Sequence, residues 1–370
     1  MSNIEVCLFE KGDVGKIIEL LDSVFNGWPH FDLTCAQIDH WKWKYEANPS
    51  KLYAVVVAII DDKIIGHSGS IFNKCKVGER ILLCEQGADF AVDENYRGYS
   101  VSSRLMDCKN EYIKENIRSG LKFHVTSNPM VIKRDIQRDY ARFPNPIINY
   151  IRIKDVNLHF EKKNIDKKLL KRYGLKVLKS TNRLASSIKP NMKIDKNKLI
   201  FEIKKIKRFD DRIEQLWNDI KESYAFILER KQEYLNWRYC DPRGGDYIIN
   251  QAENGEEILG FIVLRLNKYV KDYPVGVIVD LISLPDRLDV ADALISDAMC
   301  FFDGNSINAV SAWTFKNHPY EKLMKRNSLM DSRARPSGFF EHFNLVERAS
   351  DVKDCPADKF HFQMGDTDWI

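Results

Sequence analysis

The sequence predicts an α+β fold, a mixed α/β sheet dressed with helices, in two tandem copies of one unit. Three observations lead there: an internal repeat at fixed spacing, a hairpin signature inside each copy, and a strand that hands over to a helix through a tight glycine-containing turn. The 370 residues, 44% hydrophobic and 30% charged, suffice for two packed domains of ordinary size. The expected division is 1–160 for the first unit, 161–200 for a basic helical connector, 201–345 for the second unit and 346–370 for a C-terminal tail.

From the N-terminus, MSNIEVCLFEKGD carries acidic residues where a secretory leader would place a basic and then an apolar stretch. The longest strongly apolar run, YAVVVAII at 53–60, is far too short to cross a bilayer, so a cytoplasmic location is expected. The eight cysteines include no CxxC pair and read as core or surface thiols, with no metal indicated. GDVGK at 12–16 is not a phosphate-binding Walker loop, because the spacing is short and Ile17 stands where Ser or Thr is needed.

The repeat begins next. Residues 43–66, WKYEANPSKLYAVVVAIIDDKIIG, and 237–260, WRYCDPRGGDYIINQAENGEEILG, share Trp, a basic residue, Tyr, a second Tyr ten places after the Trp, and a closing apolar-apolar-Gly triplet. In each copy a polar turn, DDK or ENGEE, separates two strand-like runs, the pattern of a hairpin. Trp43, Tyr45, Trp237 and Tyr239 are large enough to stack on a sugar or base, but their presence in both copies points to a packing role.

VDENYRGYSVSSRLM at 92–106 follows the strand ending Gln86-Gly-Ala-Asp-Phe-Ala-Val92. Val101, Leu105, Cys108, Tyr112 and Ile113 then recur at helical spacing, so a helix starts near Ser100 to Ser103. A helix N-terminus reached through such a turn presents unpaired backbone N–H groups to one point and favours negative charge. Arg97 and the hydroxyls of Ser100, Ser102 and Ser103 stand beside it, which makes the turn a candidate phosphate cradle.

These residues resemble motif A of the GNAT acyltransferases, a strand followed by Arg-Gly-x-Gly-x-Gly/Ala and a helix. Arg97 and Gly98 match, and Ser100 and Ser102 stand where the family prefers Gly or Ala. The resemblance implies that Arg97, Gly98, Tyr99, Ser100, Val101, Ser102 and Ser103 hold the pyrophosphate of an acyl-CoA, acetyl-CoA or a short hydroxyacyl-CoA. It implies that the pantetheine arm pairs with Phe90, Ala91 and Val92. Asn128 in FHVTSNPM, and Asn317 in AVSAWTFKNHPY of the second copy, resemble the family's Asn after strand five. The segment VDLISLPDRLDVADALI of the second copy lacks Arg-Gly, which implies a single coenzyme site in the first unit, with the acceptor between the repeats.

The resemblance further implies direct attack of an acceptor amine on the thioester. Candidate proton acceptors are Asp89 and Glu85, expected on one face of the strand by alternation, and then His124. Tyr140 is the nearest counterpart of the family's Tyr that protonates the departing thiolate. WKWKYxxNP and NWRYxxP are similar to segments of two-domain GNAT proteins of bacterial glycan assembly, which implies a nucleotide-linked amino sugar as acceptor, in lipopolysaccharide or O-antigen synthesis. A tRNA-dependent aminoacyltransferase of peptidoglycan type and a non-enzymatic acyl-CoA-binding protein are the alternatives; no nucleic-acid partner is expected.

Lys162 to Arg208 holds seventeen Lys or Arg and three acidic residues, so the rest of the chain is net acidic although the total is +4. Ile165, Leu169, Tyr173 and Val177 recur there at helical spacing. This basic amphipathic helix reads as a connector packed on a domain in preference to a membrane-surface anchor.

Overall fold

The computed structural model describes residues 4–29, 32–117, 120–138, 140–162, 199–268, 272–342, 352 and 354–368. The expected connector helix at 165–177 lies outside the described residues. The chain divides into two units: 1–146, 208–246 and 336–370 form unit 1, and 147–207 and 247–335 form unit 2.

Unit 1 is built on one sheet in the order β1 (Glu5–Leu8), β2 (Tyr53–Ile60), β3 (Lys63–Val77), β4 (Arg80–Val92), β5 (Leu121–Thr126), β15 (Ser337–His342), β6 (Ala141–Arg142). A short strand, β9 (Phe226–Leu228), pairs with the far end of β3. Among the described strands of this sheet, only β4 and β5 run parallel. The apolar run of β2 is continuous because both of its faces are covered. Val55 and Val57 pack with α1 (Val14–Phe25) and α2 (Gln37–Tyr45), whereas Val56 and Ala58 pack with Val101 and Leu105 of α3 (Val101–Asn116). Helix α1 buries Val14, Ile17, Leu20 and Leu21, one stripe at helical spacing, and stops at the left-handed Asn26. Helix α4 (Pro129–Gln137) follows β5, and α6 (Ile213–Lys221) and α7 (Gln232–Leu235) complete the unit.

Unit 2 repeats the plan: β14 (Met330–Asp331), β7 (Ile147–Ile153), β13 (Ala309–Phe315), β12 (Val275–Ser283), β11 (Glu257–Asn267), β10 (Ile248–Asn254), β8 (Glu202–Ile206). Its parallel pair is β12 with β13. Helix α8 (Leu288–Gly304) buries a long apolar face on this sheet, α9 (Pro319–Arg326) joins the same core through Tyr320 and Met324, and α5 (Val156–Lys162) follows β7.

The two copies are therefore present, but they are not the contiguous blocks 1–160 and 201–345. Strand β7, from the first copy, inserts beside β13, and β15, from the second, inserts beside β5. Each copy gives away the corresponding strand, the one after its two-residue strand, β6 or β14. Both strands are short and pair antiparallel, so local pattern does not specify which sheet they join. The expected tail is also part of a domain, because Phe360 and Phe362 are buried within unit 1.

The repeated Trp-x-Tyr precedes its hairpin instead of lying in it. Trp43 and Tyr45 end α2, and Trp237 and Tyr239 lie on a π-helical turn, Asn236–Cys240. The hairpins themselves are β2–β3 and β10–β11, as the repeat predicts. Cys75 and Cys84, on β3 and β4, are bonded to each other, where free thiols were expected. Among the described residues no helix is long and apolar enough to cross a membrane.

Candidate active site

Strands β4 and β5 pair only from Cys84–Leu121 to Gln86–Phe123 and then diverge. A cavity of about 590 Å³ opens at that divergence, lined by Gln86 to Phe90 on one side and by Phe123 to Thr126 on the other. All of its lining residues belong to unit 1. Beyond Gln86 the β5-facing edge of β4 has no strand partner among the described residues; Phe90 lines the cavity there, whereas Ala91 and Val92 are buried and do not line it.

At the head of the cavity β4 is bulged. Ser68 of β3 stands opposite both Asp89 and Phe90, and Asp89 takes a left-handed φ of 51°. The bulge breaks the expected alternation. The carboxylate of Glu85 accepts from Ser70 Oγ (2.5 Å) and lies 3.9 Å from Lys109 of α3. Asp89 instead accepts from Trp28 Nε1 (2.8 Å), Lys44 Nζ (3.0 and 3.1 Å) and Tyr45 Oη (2.7 Å). The two carboxylates thus point to different helices, not to one face.

Asp89 is correspondingly ill suited to take a proton. Burial works to raise its pKa, but the Lys44 ammonium and the bonds from Trp28 and Tyr45 outweigh it and hold the carboxyl at about 2. Gly69 makes this arrangement possible, since a Cβ there would sit 2.2 Å from Tyr45 Oη. His67, whose pKa burial lowers to about 4, donates from Nδ1 to the Asp89 carbonyl (2.6 Å) and locks the bulge from the backbone side. Glu85 is fully buried and does not line the cavity. Both candidates are therefore tied into the fold, Asp89 by three donor side chains and Glu85 by Ser70.

His124 and Tyr140 do meet in the cavity, with rings 6.2 Å apart. His124 Nε2 lies 2.8 Å from Asp135 Oδ2, and Phe339 of β15 stacks on its ring at 5.5 Å. Asp135 is itself fully buried, and burial alone would raise its carboxyl. The bonds from His124 and Arg134 instead hold it below its ordinary range, an arrangement that orients the imidazole. Asn128 serves as N-cap of α4, its Oδ1 accepting from the Met130 N–H at 3.0 Å.

The turn from β4 to α3 has the form of an anion cradle. Gly98 and Ser100 both adopt left-handed backbone, at φ 94° and 59°, and α3 begins at Val101 with no side chain capping it. Arg97 to Ser100, Ser102 and Ser103 are exposed, while Val101 is buried against β2 and β3 and fixes the helix end. In unit 2 the corresponding turn is four residues long, from Leu284 to Arg287. There Tyr320 of α9, buried, accepts the Ser283 N–H at the end of β12 (3.1 Å).

The sequence reading missed Thr367 and Asp368, which line the same cavity. They arrive on the segment after β15. Phe360 stacks on Phe226 (4.7 Å), Arg230 pairs with Asp366 at 2.7 Å with both buried, and Arg238 donates to the carbonyls of Gly365 and Thr367 (3.1 Å each). The signal available was the alternation KFHFQM at 359–364, which has the period of a strand-like buried segment.

Residues 5–134 match the family described as an acetyltransferase (GNAT) domain. Comparison with curated proteins finds no sequence match. Among solved structures the fold is similar to a conserved protein from Enterococcus faecalis V583, described as a probable N-acyltransferase. That match has 13% identity and a TM-score of 0.62, covering 93% of this chain and 74% of that one. The fold is likewise similar to N-myristoyltransferase of Saccharomyces cerevisiae with bound myristoyl-CoA (10%, 0.62, 92% and 83%). A third is a GCN5-related N-acetyltransferase from Anabaena variabilis (10%, 0.60, 93% and 74%). Residues 5–134 thus match a GNAT acetyltransferase domain, and the fold of the chain is similar to that of these solved structures.

Proposed function

We propose that the protein transfers an acyl group from acyl-CoA to the primary amine of a nucleotide-linked amino sugar, by direct attack, in the cytoplasmic synthesis of bacterial surface glycan. The observation that carries the transferase reading is the cavity at the divergence of β4 and β5, lined also by Met106 and Lys109 of α3, the helix whose N-terminus is uncapped. The pyrophosphate is assigned to the N–H groups around Arg97–Ser103, and the pantetheine to the free edge at Phe90–Val92. This arrangement directs the thioester into the cavity, where catalysis consists of positioning and of stabilising the oxyanion. Tyr140 and His124, on the β5 side, are assigned to return a proton to the departing thiolate. Arg97 to Ser103 fit a phosphate group because two left-handed residues turn the backbone there and no side chain competes for the helix end.

The acceptor assignment rests on the likeness of the repeated Trp-x-Tyr segments to glycan-assembly proteins. Coenzyme A release tests it, with acetyl-CoA and a hydroxyacyl-CoA as donors and nucleotide-linked amino sugars, an N-terminal glycine peptide and aminoacyl-tRNA as the other substrates. Turnover with the amino sugars alone is expected. Calorimetric binding of acetyl-CoA without turnover on any amine would leave a non-enzymatic binding protein, and absence of binding would remove the coenzyme site itself.

A further inference from the structure

We infer that Asp368 accepts the proton of the acceptor, so that the substrate enters as a primary ammonium, and that residues 354–368 are built into unit 1 to deliver this carboxylate. The inference rests on the N-acyltransferase reading above. Two acids, Asp89 and Asp368, line the cavity, and two more, Glu85 and Asp135, lie close behind its wall. Asp89 is saturated by three donor side chains, Glu85 is sealed away from the cavity, and Asp135 is fully buried behind His124. Asp368 differs from all three. Its side chain lines the cavity and is 17% accessible, against 6% for Asp89.

Its nearest cation, Lys44 Nζ, stands 3.9 Å away and is already held by Asp89 at 3.0 Å. Among the described residues no other side chain is seen to donate a hydrogen bond to it. The charged groups that face it are Lys44 from α2, Asp89 from β4 and Arg238 from the π-helical turn. Burial raises its pKa, with Asp89 adding to the rise and Lys44 and Arg238 opposing it. A carboxylate so placed is more basic than an ordinary Asp, which is the property a proton acceptor needs. Its position is fixed, because Arg238 holds the carbonyl of the preceding Thr367 and Arg230 pairs with Asp366.

The ammonium gives one proton to Asp368 and becomes a neutral amine. Its lone pair forms the C–N bond at the thioester carbonyl carbon, and the C–S bond breaks with its electron pair leaving on sulfur. The nitrogen sheds a second proton as the amide forms, the thiolate takes up one proton to become the free thiol, and Asp368 returns its proton to solvent.

The test compares Asp368→Asn with the wild type, using acetyl-CoA and two kinds of amine. One is the best alkylamine among a UDP-linked amino sugar, glucosamine and glycinamide; the other is hydroxylamine, which is already neutral at neutral pH and needs no base. With the alkylamine a loss on the order of 10²- to 10⁴-fold in kcat/KM is expected, together with disappearance of the acid limb of its pH profile. With hydroxylamine the rate should stay within a few-fold of wild type, and calorimetric affinity for acetyl-CoA should be unchanged. Equal losses with both amines, no loss with either, or lost acetyl-CoA binding would overturn the role of Asp368 while leaving the transferase reading intact. A wild type that turns over no amine would overturn both.

Discussion

Trp43 and Trp237 stack face to face, with ring centroids 4.9 Å and planes 18° apart, and each indole N–H donates to the other residue's carbonyl oxygen, at 2.9 and 3.1 Å. They are the same position of the internal repeat, so the repeat meets itself across a local two-fold relation inside unit 1. Both are buried and both spend their one polar atom on the partner, which leaves a packing role and no sugar or base to bind.

Truncating either ring should therefore be costly to stability and silent in binding. Trp43→Ala and Trp237→Ala are each expected to lower unfolding free energy by about 3–5 kcal/mol. The double variant should lose clearly less than the sum, because the second truncation finds its partner already gone. Urea denaturation supplies the energies. A change in acetyl-CoA affinity in a still-folded single variant would point instead to a ligand contact.

At the Arg97-Gly98 turn the forecast moves to binding, with Arg97→Ala nearly silent in stability. Arg97 is exposed, and a Cβ on Gly98 would meet nothing within 4 Å. Arg97→Ala should weaken acetyl-CoA binding by roughly 1.5–3 kcal/mol, the range for a hydrogen bond to a charged group. Gly98→Asp should weaken it further, by adding a carboxylate to an anion site and by straining a residue whose φ is 94°. Calorimetry at two salt concentrations measures this, and unchanged affinity in both variants would remove the phosphate cradle.

Asp89 and Asp368 should leave opposite marks on stability against pH. The folded carboxyl of Asp89 lies at about 2, below its ordinary 3.8, so it stabilises the fold above pH 3.8 and this contribution, ~2 kcal/mol, drains away between pH 3.8 and 2. Asp89→Asn should flatten that window and, by stranding the buried Lys44 ammonium, cost about 3–5 kcal/mol at neutral pH. Asp368 is raised by burial, so its cost to the fold is absent below its ordinary 3.8, grows as pH rises from there to its folded pKa and is complete above it. Asp368→Asn should therefore be more stable than wild type at neutral pH and indistinguishable in acid. Parallel pH profiles for the two variants would contradict this assignment of signs.

Much of this was legible in the sequence where one short segment decides the outcome. The hairpins, the start of α3 within a residue or two of Ser100, and the structural reading of the repeated tryptophans all follow from local spacing. What escaped depends on contacts remote along the chain. Glu85 and Asp89 satisfy alternation on paper, but a bulge sets Asp89 at φ 51° and turns its carboxylate to Trp28, Lys44 and Tyr45. Asp368 was read as part of a tail because nothing near it announces Arg230 and Arg238, the two guanidiniums that dock its segment. The exchange of β7 and β15 escaped for a related reason: two copies of one unit offer equivalent edges to equivalent strands.

That exchange predicts how the protein can be cut. A fragment of residues 1–160, one complete copy by sequence, keeps β1 to β5 but loses β15, which covers the outer edge of β5 from Leu121 to Thr126. It also loses Phe226, Phe340 and Phe360, the rings that pack around Phe143 and one another at 4.4–5.4 Å. An uncovered strand edge beside an unfilled aromatic pocket favours association over folding. The fragment should therefore be aggregated or molten, without cooperative unfolding. Joining 1–146, 208–246 and 336–370 through flexible linkers restores every strand of the unit 1 sheet and the segment that carries Asp368. This three-piece chain should be soluble, unfold cooperatively and bind acetyl-CoA. Thermal unfolding and calorimetry on the two fragments decide the matter, and a cooperatively folded 1–160 would mean that each copy closes its own sheet in solution.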